Sequence, residues 1–330
     1  MTTILLTHPS AARAGYYGER ALAGLCELGD VLLNPLDRMM TAEELIDAAQ
    51  QADLIVCDRE TPGYSDAFDR LPGLVAFLRV AVDIRNIDVD AASRNGVLVT
   101  HASPGFAAAV TEWIIGAMVD LARHVIDYAT EYRATGHQPK ARMGRQLRGA
   151  TLGVIGYGAI GRYLCQAGHA LGMRVLANDP HAKIADSHVK QVGLEALLAE
   201  ADFVVPLAVA TPATENLIDA AAFARMKPGA FFINASRGNL VDEAALVAAL
   251  QAKHIAGAAL DVGRAPDQMP TPALAARDDV IATPHIAGLT PEAIEHQALE
   301  TVAQAGEIVA GRVPPGAINA AHATRIAARR

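Results

Sequence analysis

The feature that most constrains this chain is the stretch 150–179, ATLGVIGYGAIGRYLCQAGHALGMRVLAND. A short apolar run precedes a glycine-rich turn, and apolar residues then recur at helical spacing from Ile160 to Leu171. A second apolar run, 175–178, ends in Asp179. The stretch therefore predicts a strand, a tight turn, a helix and a second, parallel strand.

The turn has the spacing Gly-x-Gly-x-x-Gly, with glycines at Gly156, Gly158 and Gly161. The first permits the reversal, the second lets backbone approach a pyrophosphate, and the third lets helix and strand pack closely. A glycine-rich turn alone is only a turn, but here the helix N-terminus behind it favours an anion. Asp179 follows at roughly the 20-residue distance that suits a ribose 2′-hydroxyl. Since no arginine follows at once to bind a 2′-phosphate, the stretch predicts NAD rather than NADP.

Composition limits the class of protein. A chain of 330 residues with 52% hydrophobic residues has material for two buried cores. A formal net charge of −8 argues against nucleic acid as a partner. No basic start with a long apolar segment and no uncharged run of bilayer length is found, so we expect no membrane partner and a cytoplasmic location. Three cysteines without CxxC spacing predict reduced thiols and no metal site.

Strand-like runs alternate with helical segments on both sides of the nucleotide motif. This alternation predicts parallel sheets covered by helices, and therefore an α/β fold. Ser103 and Pro104 are expected to open a long apolar helix as N-cap and first helical residue. Another helix is expected to begin near Pro291. We predict a Rossmann doubly wound NAD-binding domain, 103–289, inserted into a smaller flavodoxin-like substrate-binding domain made of 1–102 and 290–330.

Three further strand ends carry polar residues suited to chemistry. Arg237 follows a buried strand in a tight glycine turn, where a guanidinium can pair with a carboxylate and polarise a carbonyl. His285 follows another strand, and imidazole exchanges protons near neutral pH. Asp261 ends a third strand. Each also has a structural interpretation: an ion pair of Arg237 with Asp242 or Glu243, a surface histidine, and a local turn cap at Asp261.

Taken with these residues, the chain resembles the D-isomer-specific 2-hydroxyacid dehydrogenases over nearly its whole length. The segments that carry the resemblance are GYGAIG, TPATENLI, MKPGAFFINASRGNLVDEAAL, GAALDV and TPHIAGLTPEA. The resemblance implies interconversion of a D-2-hydroxyacid and its 2-ketoacid, a small-molecule substrate, NAD as cofactor and a homodimer.

The resemblance also assigns roles to residues. Arg237 would orient and polarise the substrate, and His285 would be the acid/base. Asp261 would lie near the nicotinamide carboxamide and Asp179 on the adenosine ribose. The full set of expected cofactor-binding residues is Gly156, Gly158, Ala159, Ile160, Gly161, Asp179, Ala208, Ser236 and Asp261.

The chain departs from the family at the catalytic glutamate. That residue stands five positions after the aspartate, and here Pro266 occupies its place. In the usual arrangement the carboxylate holds the imidazole and raises its pKa. Asp267, one residue further on, is a candidate catalytic replacement. Gln268 could orient the ring of His285 without charge, and otherwise the histidine acts alone.

A second departure lies in the substrate-binding loop, expected at Val82, Asp83, Ile84 and Arg85. The family has a small-residue turn whose N–H groups hold the substrate carboxylate, whereas this chain has Ala81-Val82-Asp83. A carboxylate at Asp83 would repel an anionic substrate unless it points away or pairs with Arg85. The loop suggests an atypical substrate that is bulky or carries a positive group.

Two alternatives to a hydroxyacid dehydrogenase remain open at this point. One is a catalytically weakened or inactive NAD(H)-binding sensor of the same fold, which the missing glutamate favours and the retained Arg237 and His285 oppose. The other is an enzyme of this fold that acts on an inorganic or one-carbon anion, which Asp83 does not favour.

Overall fold

The computed structural model describes residues 1–327, without the side chains of residues 267 and 327. The strands are β1 (Thr3–Leu6), β2 (Asp30–Leu33), β3 (Leu54–Cys57), β4 (Ala76–Arg79), β5 (Leu98–His101), β6 (Thr151–Ile155), β7 (Arg174–Asn178), β8 (Val189–Gln191), β9 (Phe203–Pro206), β10 (Phe231–Asn234), β11 (Gly257–Leu260) and β12 (Val280–Ala282). The helices are α1 (Ser10–Tyr16), α2 (Glu19–Leu28), α3 (Ala42–Ala48), α4 (Ser65–Arg70), α5 (Val89–Arg94), α6 (Ala107–Arg123), α7 (Val125–Thr135), α8 (Ala159–Ala170), α9 (Leu194–Glu200), α10 (Ala220–Arg225), α11 (Glu243–Gln251), α12 (Pro272–Ala275), α13 (Pro291–Val309) and α14 (Thr324–Ala327).

The chain forms two compact units, each around its own parallel sheet. Unit 1 consists of Met1–Gly105 and Thr290–Arg330, and unit 2 consists of Phe106–Leu289. The domain bounds expected from the sequence, 103–289 within 1–102 and 290–330, stay a prediction. The α/β class with two parallel sheets is confirmed.

Unit 1 contains a five-stranded parallel sheet in the order β2-β1-β3-β4-β5. This is the flavodoxin-like order. Helices α3, α4 and α5 pack on one face, around Leu45, Phe68 and Phe77. Helices α2 and α13 cover the other face, around Leu25 and Ile308. Because both faces are covered, the strands are almost continuously apolar rather than alternating.

Unit 2 contains a seven-stranded parallel sheet in the order β12-β11-β10-β9-β6-β7-β8. The chain runs outward from β6 in both directions, which is the doubly wound Rossmann arrangement with one added strand. Helices α6 and α8 contribute to the core on one face, and α9, α10 and α11 contribute to the core on the other. The order reverses between β6 and β9, where ligands of such sheets bind.

One local expectation needs correction. Helix α6 begins at Ala107 with Phe106 as N-cap, not at Ser103. The N–H and hydroxyl of Ser103 instead donate to Glu300 Oε2, both at 2.7 Å. This contact between residues far apart in sequence could not be read from local spacing. The helix expected near Pro291 is confirmed as α13, capped by Thr290. Within residues 1–327, no helix is long and apolar enough to cross a membrane.

Candidate active site

The predicted functional residues of unit 2 all lie along one edge of its sheet. Every strand is parallel to its neighbours, so the segments that follow the strands emerge at the same, carboxyl edge. The glycine turn follows β6, Asp179 follows β7, and Ala208 lies just after β9. Arg237, Asp261 and His285 follow β10, β11 and β12, which are adjacent. Two inter-strand spacings, about 10 Å, separate the strands that lead to the arginine and the histidine.

The glycines after β6 are required for different reasons. Gly156 has φ +103°, and a Cβ there would lie 2.7 Å from backbone atoms of Leu207 and Ala208. A Cβ at Gly161 would lie 2.2 Å from the carbonyl oxygen of Gly156, so only glycine allows α8 to approach β6 this closely. At Gly158, by contrast, a Cβ would meet no atom within 4 Å. The structure therefore leaves space at Gly158, where the motif predicts approach of a pyrophosphate.

Helix α8 presents its N-terminus to this space. Gly158 is the N-cap and makes no side-chain capping bond. The first helical bond of the turn runs from Arg162 N to Gly158 O at 3.0 Å. The N–H groups of Ala159, Ile160 and Gly161 thus have no acceptor within the helix. They are available, with the helix dipole, for an anionic group.

Asp179 is held at the end of β7 by backbone donors. Its carboxylate accepts hydrogen bonds from the N–H groups of Tyr157 at 2.7 Å, His181 at 2.8 Å and Ala182 at 3.0 Å. Burial raises the pKa of this carboxyl, but the three backbone bonds outweigh it and the pKa is lowered. The bond to Tyr157 ties this loop to the glycine turn. A charged acceptor is therefore present where an adenosine ribose is expected.

Residues around β10 form a tight turn that carries Arg237. The buried side chain of Asn234 donates to the Arg237 carbonyl at 3.0 Å and accepts from the Ser236 N–H at 3.1 Å. The Ser236 hydroxyl donates to the carbonyl oxygen of Ala208 at 3.3 Å. A Cβ at Gly238 would clash with backbone of Gly263, so the loops after β10 and β11 lie in contact. Asn234 was not identified from the sequence; its position at a strand end beside the predicted arginine is the signal that could have found it.

Asp261 is joined to the segment that carries His285. Its side chain, 1% exposed, accepts hydrogen bonds from the Thr283 hydroxyl at 2.6 Å and from the N–H groups of Ile286 and Ala287, both at 2.8 Å. Its carbonyl oxygen accepts from the His285 N–H at 3.0 Å. His285, which carries the imidazole, is half-buried. Asp261 thus meets the segment on both sides of the histidine.

The segment in which the family glutamate is missing folds into a short turn. Pro266 begins a 3-10 turn, Pro266–Gln268, and is exposed. The Gly263 N–H donates to the Gln268 carbonyl at 2.7 Å, which closes the loop. The side chain of Asp267, the candidate replacement for the glutamate, lies outside the described residues. The side-chain oxygen Oε1 of Gln268 is buried and has no hydrogen-bond partner among the described residues.

In unit 1, the predicted substrate-binding loop follows β4. Asp83 accepts from the Arg85 backbone N–H at 3.0 Å and forms an ion pair with the Arg85 guanidinium, with Nη2 to Oδ2 at 2.6 Å. Of the two arrangements that would relieve repulsion of an anionic substrate, the structure shows the pairing. Val82 is exposed, and Ile84 is half-buried. The loop therefore carries a neutralised pair and not an isolated negative charge.

A buried arginine that sequence reasoning missed anchors this loop. Arg79, fully buried at the end of β4, donates to the carbonyl oxygens of Asp58 and Thr61 and, at 2.7 Å, to Asn86 Oδ1. The Asn86 amide in turn donates to the carbonyl of Glu60 at 3.2 Å. The loop 80–85 is thus fastened at both ends to the segment after β3. An arginine inside the apolar run AFLRVAV was the available signal.

These observations fit a dinucleotide. The open space at Gly158, the α8 N-terminus and the charged Asp179 suit a pyrophosphate and a ribose in turn. Within the described part of the chain, no group of three or more His, Cys, Asp or Glu side chains is placed to hold a metal ion.

Comparison with known proteins agrees with this assignment. Residues 115–287 match the family described as D-isomer specific 2-hydroxyacid dehydrogenase, NAD binding domain. The chain is 39% identical over 241 residues to an (S)-sulfolactate dehydrogenase of Chromohalobacter salexigens, covering 71% of this chain and 77% of that protein. It is 34% identical over 285 residues to a D-3-phosphoglycerate dehydrogenase of Synechocystis sp., covering 85% of this chain.

The matched part of the chain spans about half the length of the phosphoglycerate dehydrogenases, 51% of the Synechocystis protein. Among solved structures, a D-lactate dehydrogenase with NAD+ from Lactobacillus jensenii shares 25% identity and a TM-score of 0.83, covering 96% of this chain and 99% of that one. The predicted family and its NAD cofactor are thereby confirmed. The chain belongs to the D-isomer specific 2-hydroxyacid dehydrogenase family and carries its NAD-binding domain.

Proposed function

We propose that this protein is an NAD-dependent oxidoreductase that interconverts a D-2-hydroxyacid and its 2-ketoacid. The observation that carries the proposal is the placement of Arg237 and His285 after β10 and β12 of the sheet whose β6 turn suits a dinucleotide. NAD supplies or accepts the hydride when bound. The protein itself orients the substrate and moves the proton.

Arg237 and His285 have complementary tasks in this proposal. Reduction of a ketone builds negative charge on its oxygen, which the Arg237 guanidinium stabilises while it also pairs with the substrate carboxylate. The same oxygen needs a proton, and His285 donates it; in the oxidative direction His285 removes it. In this proposal, backbone N–H groups of Val82, Asp83 and Ile84 contribute to binding of the substrate carboxylate, whereas the N–H of Arg85 already donates to Asp83.

The group that orients the His285 imidazole differs from that of the family, because Pro266 occupies the position of the glutamate. Pro266 has no group that can hold an imidazole. We therefore propose that Asp267 replaces the glutamate. The neutral alternative is Gln268, and it is supported by the buried oxygen Oε1 of Gln268, which has no hydrogen-bond partner among the described residues. Asp267→Asn tests the first: a changed pH dependence of kcat is expected, because the negative partner of the imidazolium is lost. An unchanged profile would remove Asp267, and Gln268→Leu then tests the second.

The charge of the loop and the names of two relatives bear on the substrate class. Since Asp83 is paired with Arg85, it gives no reason to exclude an anionic side chain on the substrate. The names of two relatives, (S)-sulfolactate and D-3-phosphoglycerate dehydrogenase, belong to substrates with a second acidic group. We propose a 2-hydroxyacid of that kind for this chain. Fastest turnover of bulky or cationic 2-ketoacids would instead support the atypical substrate that the loop sequence suggests.

The decisive experiment is NADH oxidation across a panel of 2-ketoacids with small neutral, anionic and cationic side chains. Arg237→Ala and His285→Ala are the controls, and each is expected to lower kcat/KM by at least about 100-fold. The second candidate function is a non-catalytic NAD(H)-binding sensor, favoured by Pro266 in the glutamate position. Tight NADH binding with no turnover of any panel member would support the sensor.

We further propose a homodimer in the cytoplasm. Helix α7 has no buried residue, and its exposed apolar side chains Val125, Ile126 and Tyr132 are 50%, 52% and 60% exposed. Such a face is typical of a subunit interface. Three free cysteines agree with a reducing compartment. A monomer in sedimentation equilibrium, or a dimer that survives Ile126→Glu, would contradict the assignment of this face.

A further inference from the structure

The acid/base segment after β12 is held in place by one buried side chain. Three donors of residues 283–287 converge on the Asp261 carboxylate: the Thr283 hydroxyl and the N–H groups of Ile286 and Ala287, at 2.6–2.8 Å. The backbone of the same residue accepts from the His285 N–H. His285 therefore lies between donors that all end on Asp261.

This bonding coincides with an unusual backbone conformation. His285 has φ +56°, in the left-handed region that residues with a side chain rarely adopt. Such a conformation persists only where the surroundings over-determine it, and such residues cluster at active sites. The bonds from residues 283, 286 and 287 flank the histidine on both sides and supply that determination. Loss of the carboxylate would let the segment relax and move the imidazole.

We infer that Asp261 is a positioning residue for His285. In the family, the glutamate orients the imidazole ring directly; here Asp261 supplies part of that orientation by fixing the backbone of the segment that carries His285. The inference rests on the proposed acid/base role of His285. It differs from the role that the resemblance implies, in which Asp261 lies near the nicotinamide carboxamide. Asp261 is 1% exposed, and its carboxylate already accepts three hydrogen bonds from the protein itself.

The positioning role and the cofactor-binding role predict different effects of substitution on kcat and on the Kd of NADH. Asp261→Asn keeps one acceptor oxygen but places an amide NH2 against a backbone donor. If the residue positions His285, kcat falls by about 100-fold, as for a displacement of about 1 Å, and the Kd of NADH stays within about twofold. Thr283→Val removes one of the three bonds with little change of shape, and it should lower kcat by about tenfold with the same NADH affinity.

A double-variant test separates positioning from a general loss of structure. In a His285→Gln background, Asp261→Asn should have no further effect on kcat, because its action passes through the histidine. Equal effects of Asp261→Asn in both backgrounds would overturn the inference. The inference would also be overturned if Asp261→Asn raised the Kd of NADH strongly while Thr283→Val changed neither kcat nor the Kd. That result would assign the carboxylate to cofactor binding.

A readout without turnover keeps the inference testable if the proposed reaction is wrong. Hydrogen exchange of residues 283–287, followed by mass spectrometry, should accelerate at least about tenfold in Asp261→Asn while exchange in β6 and α8 is unchanged. Unchanged exchange in 283–287 would contradict the positioning role. If the wild-type protein turns over no 2-ketoacid but exchange is accelerated in the variant, the proposed function is wrong. The role of Asp261 in holding residues 283–287 would still be established.

Discussion

The carboxyl edges of the two sheets are built by opposite chemistry. In unit 2, carboxylates are the central groups. Asp179 accepts two hydrogen bonds from its own loop and one from the glycine turn, and Asp261 accepts three from the segment after β12. In unit 1, the central group is a cation, Arg79, which donates to carbonyl oxygens of the loop after β3 and to Asn86. The partners of Asp261 and the carbonyls bound by Arg79 lie at similar distances along the chain, 18–26 residues away. The difference lies in the sequence around each centre: the two carboxylates follow apolar runs that end at a polar residue, whereas Arg79 lies inside an apolar run. The first edge is therefore easier to predict from the sequence than the second.

Substitutions in the glycine turn after β6 should have the largest effect on NADH affinity, because a side chain at Gly161 does not fit the turn. Gly161→Ala places a Cβ 2.2 Å from a carbonyl oxygen of Gly156, so α8 must move. We expect a loss of NADH affinity of at least about 100-fold, about 3 kcal/mol, together with a lower Tm. Fluorescence titration and thermal unfolding measure the two.

Gly158→Ala is the matched control for that variant. Its Cβ meets no protein atom within 4 Å, and its φ of −75° suits alanine. NADH affinity should fall with an unchanged Tm, since only the ligand competes for the space. A Tm loss equal to that of Gly161→Ala would mean that the turn serves folding alone.

The cationic centre of unit 1 should be next. Arg79→Met leaves two buried carbonyls and the Asn86 oxygen without their donor, which we expect to lower the free energy of unfolding by about 3 kcal/mol. Arg79→Lys should recover only part, because an ammonium cannot reproduce the planar fork. Urea unfolding measures both, with exposed Arg94→Met as control. Stability equal to wild type in Arg79→Met would disprove the role of this side chain as the anchor of the loop.

A buried histidine makes unit 1 sensitive to acid. Burial lowers the pKa of His8 from 6.5 to about 4. Above pH 6.5 the imidazole is neutral in both states, but between 6.5 and about 4 the unfolded chain takes up a proton that the folded chain refuses. Stability is therefore full above 6.5 and falls as the pH falls, by up to about 3 kcal/mol.

His8→Gln should flatten this slope of the free energy of unfolding against pH, measured by urea titration between pH 7 and about 4. His322→Gln, which removes an exposed imidazole of the same unit, is the control. An identical slope in wild type and His8→Gln would assign the acid sensitivity to other groups.

The smallest effect on stability is expected at the paired loop. In Arg85→Ala the lost ion pair joins side chains 71% and 28% exposed, so the free energy of unfolding should change by less than about 1 kcal/mol. The KM for anionic 2-ketoacids should nevertheless rise, because Asp83 loses the charge that neutralises it. Asp83→Asn in the same chain should restore the KM. An unchanged KM in Arg85→Ala would place the pair away from the substrate.

The positions along the edge of unit 2 were predicted from sequence because each follows a recognisable apolar run. The short strand β8 was not, since Val189–Gln191 has too few residues to show a pattern. Asn234 was also missed, although its partners Ser236 and Arg237 are only two and three residues away. Arg79 was missed because the carbonyl groups that it binds belong to another segment of the chain. The position of Ser103 was predicted wrongly for the same reason: its partner Glu300 lies in a helix of the same unit nearly 200 residues away.

By itself the sequence determined the α/β class, the two parallel sheets, the cofactor turn and the identity of the residues at the strand ends. These depend on periodicity and on glycine, which act over a few neighbouring residues. The tertiary structure selected the pairing of Asp83 with Arg85 from the two arrangements that the sequence left open. Only the tertiary structure decided what the buried polar residues are bonded to: Arg79 to the loop after β3, and Asp261 to the segment of His285. The physical reason is that a buried polar group must find its partners wherever the fold places them, and sequence spacing does not record that distance.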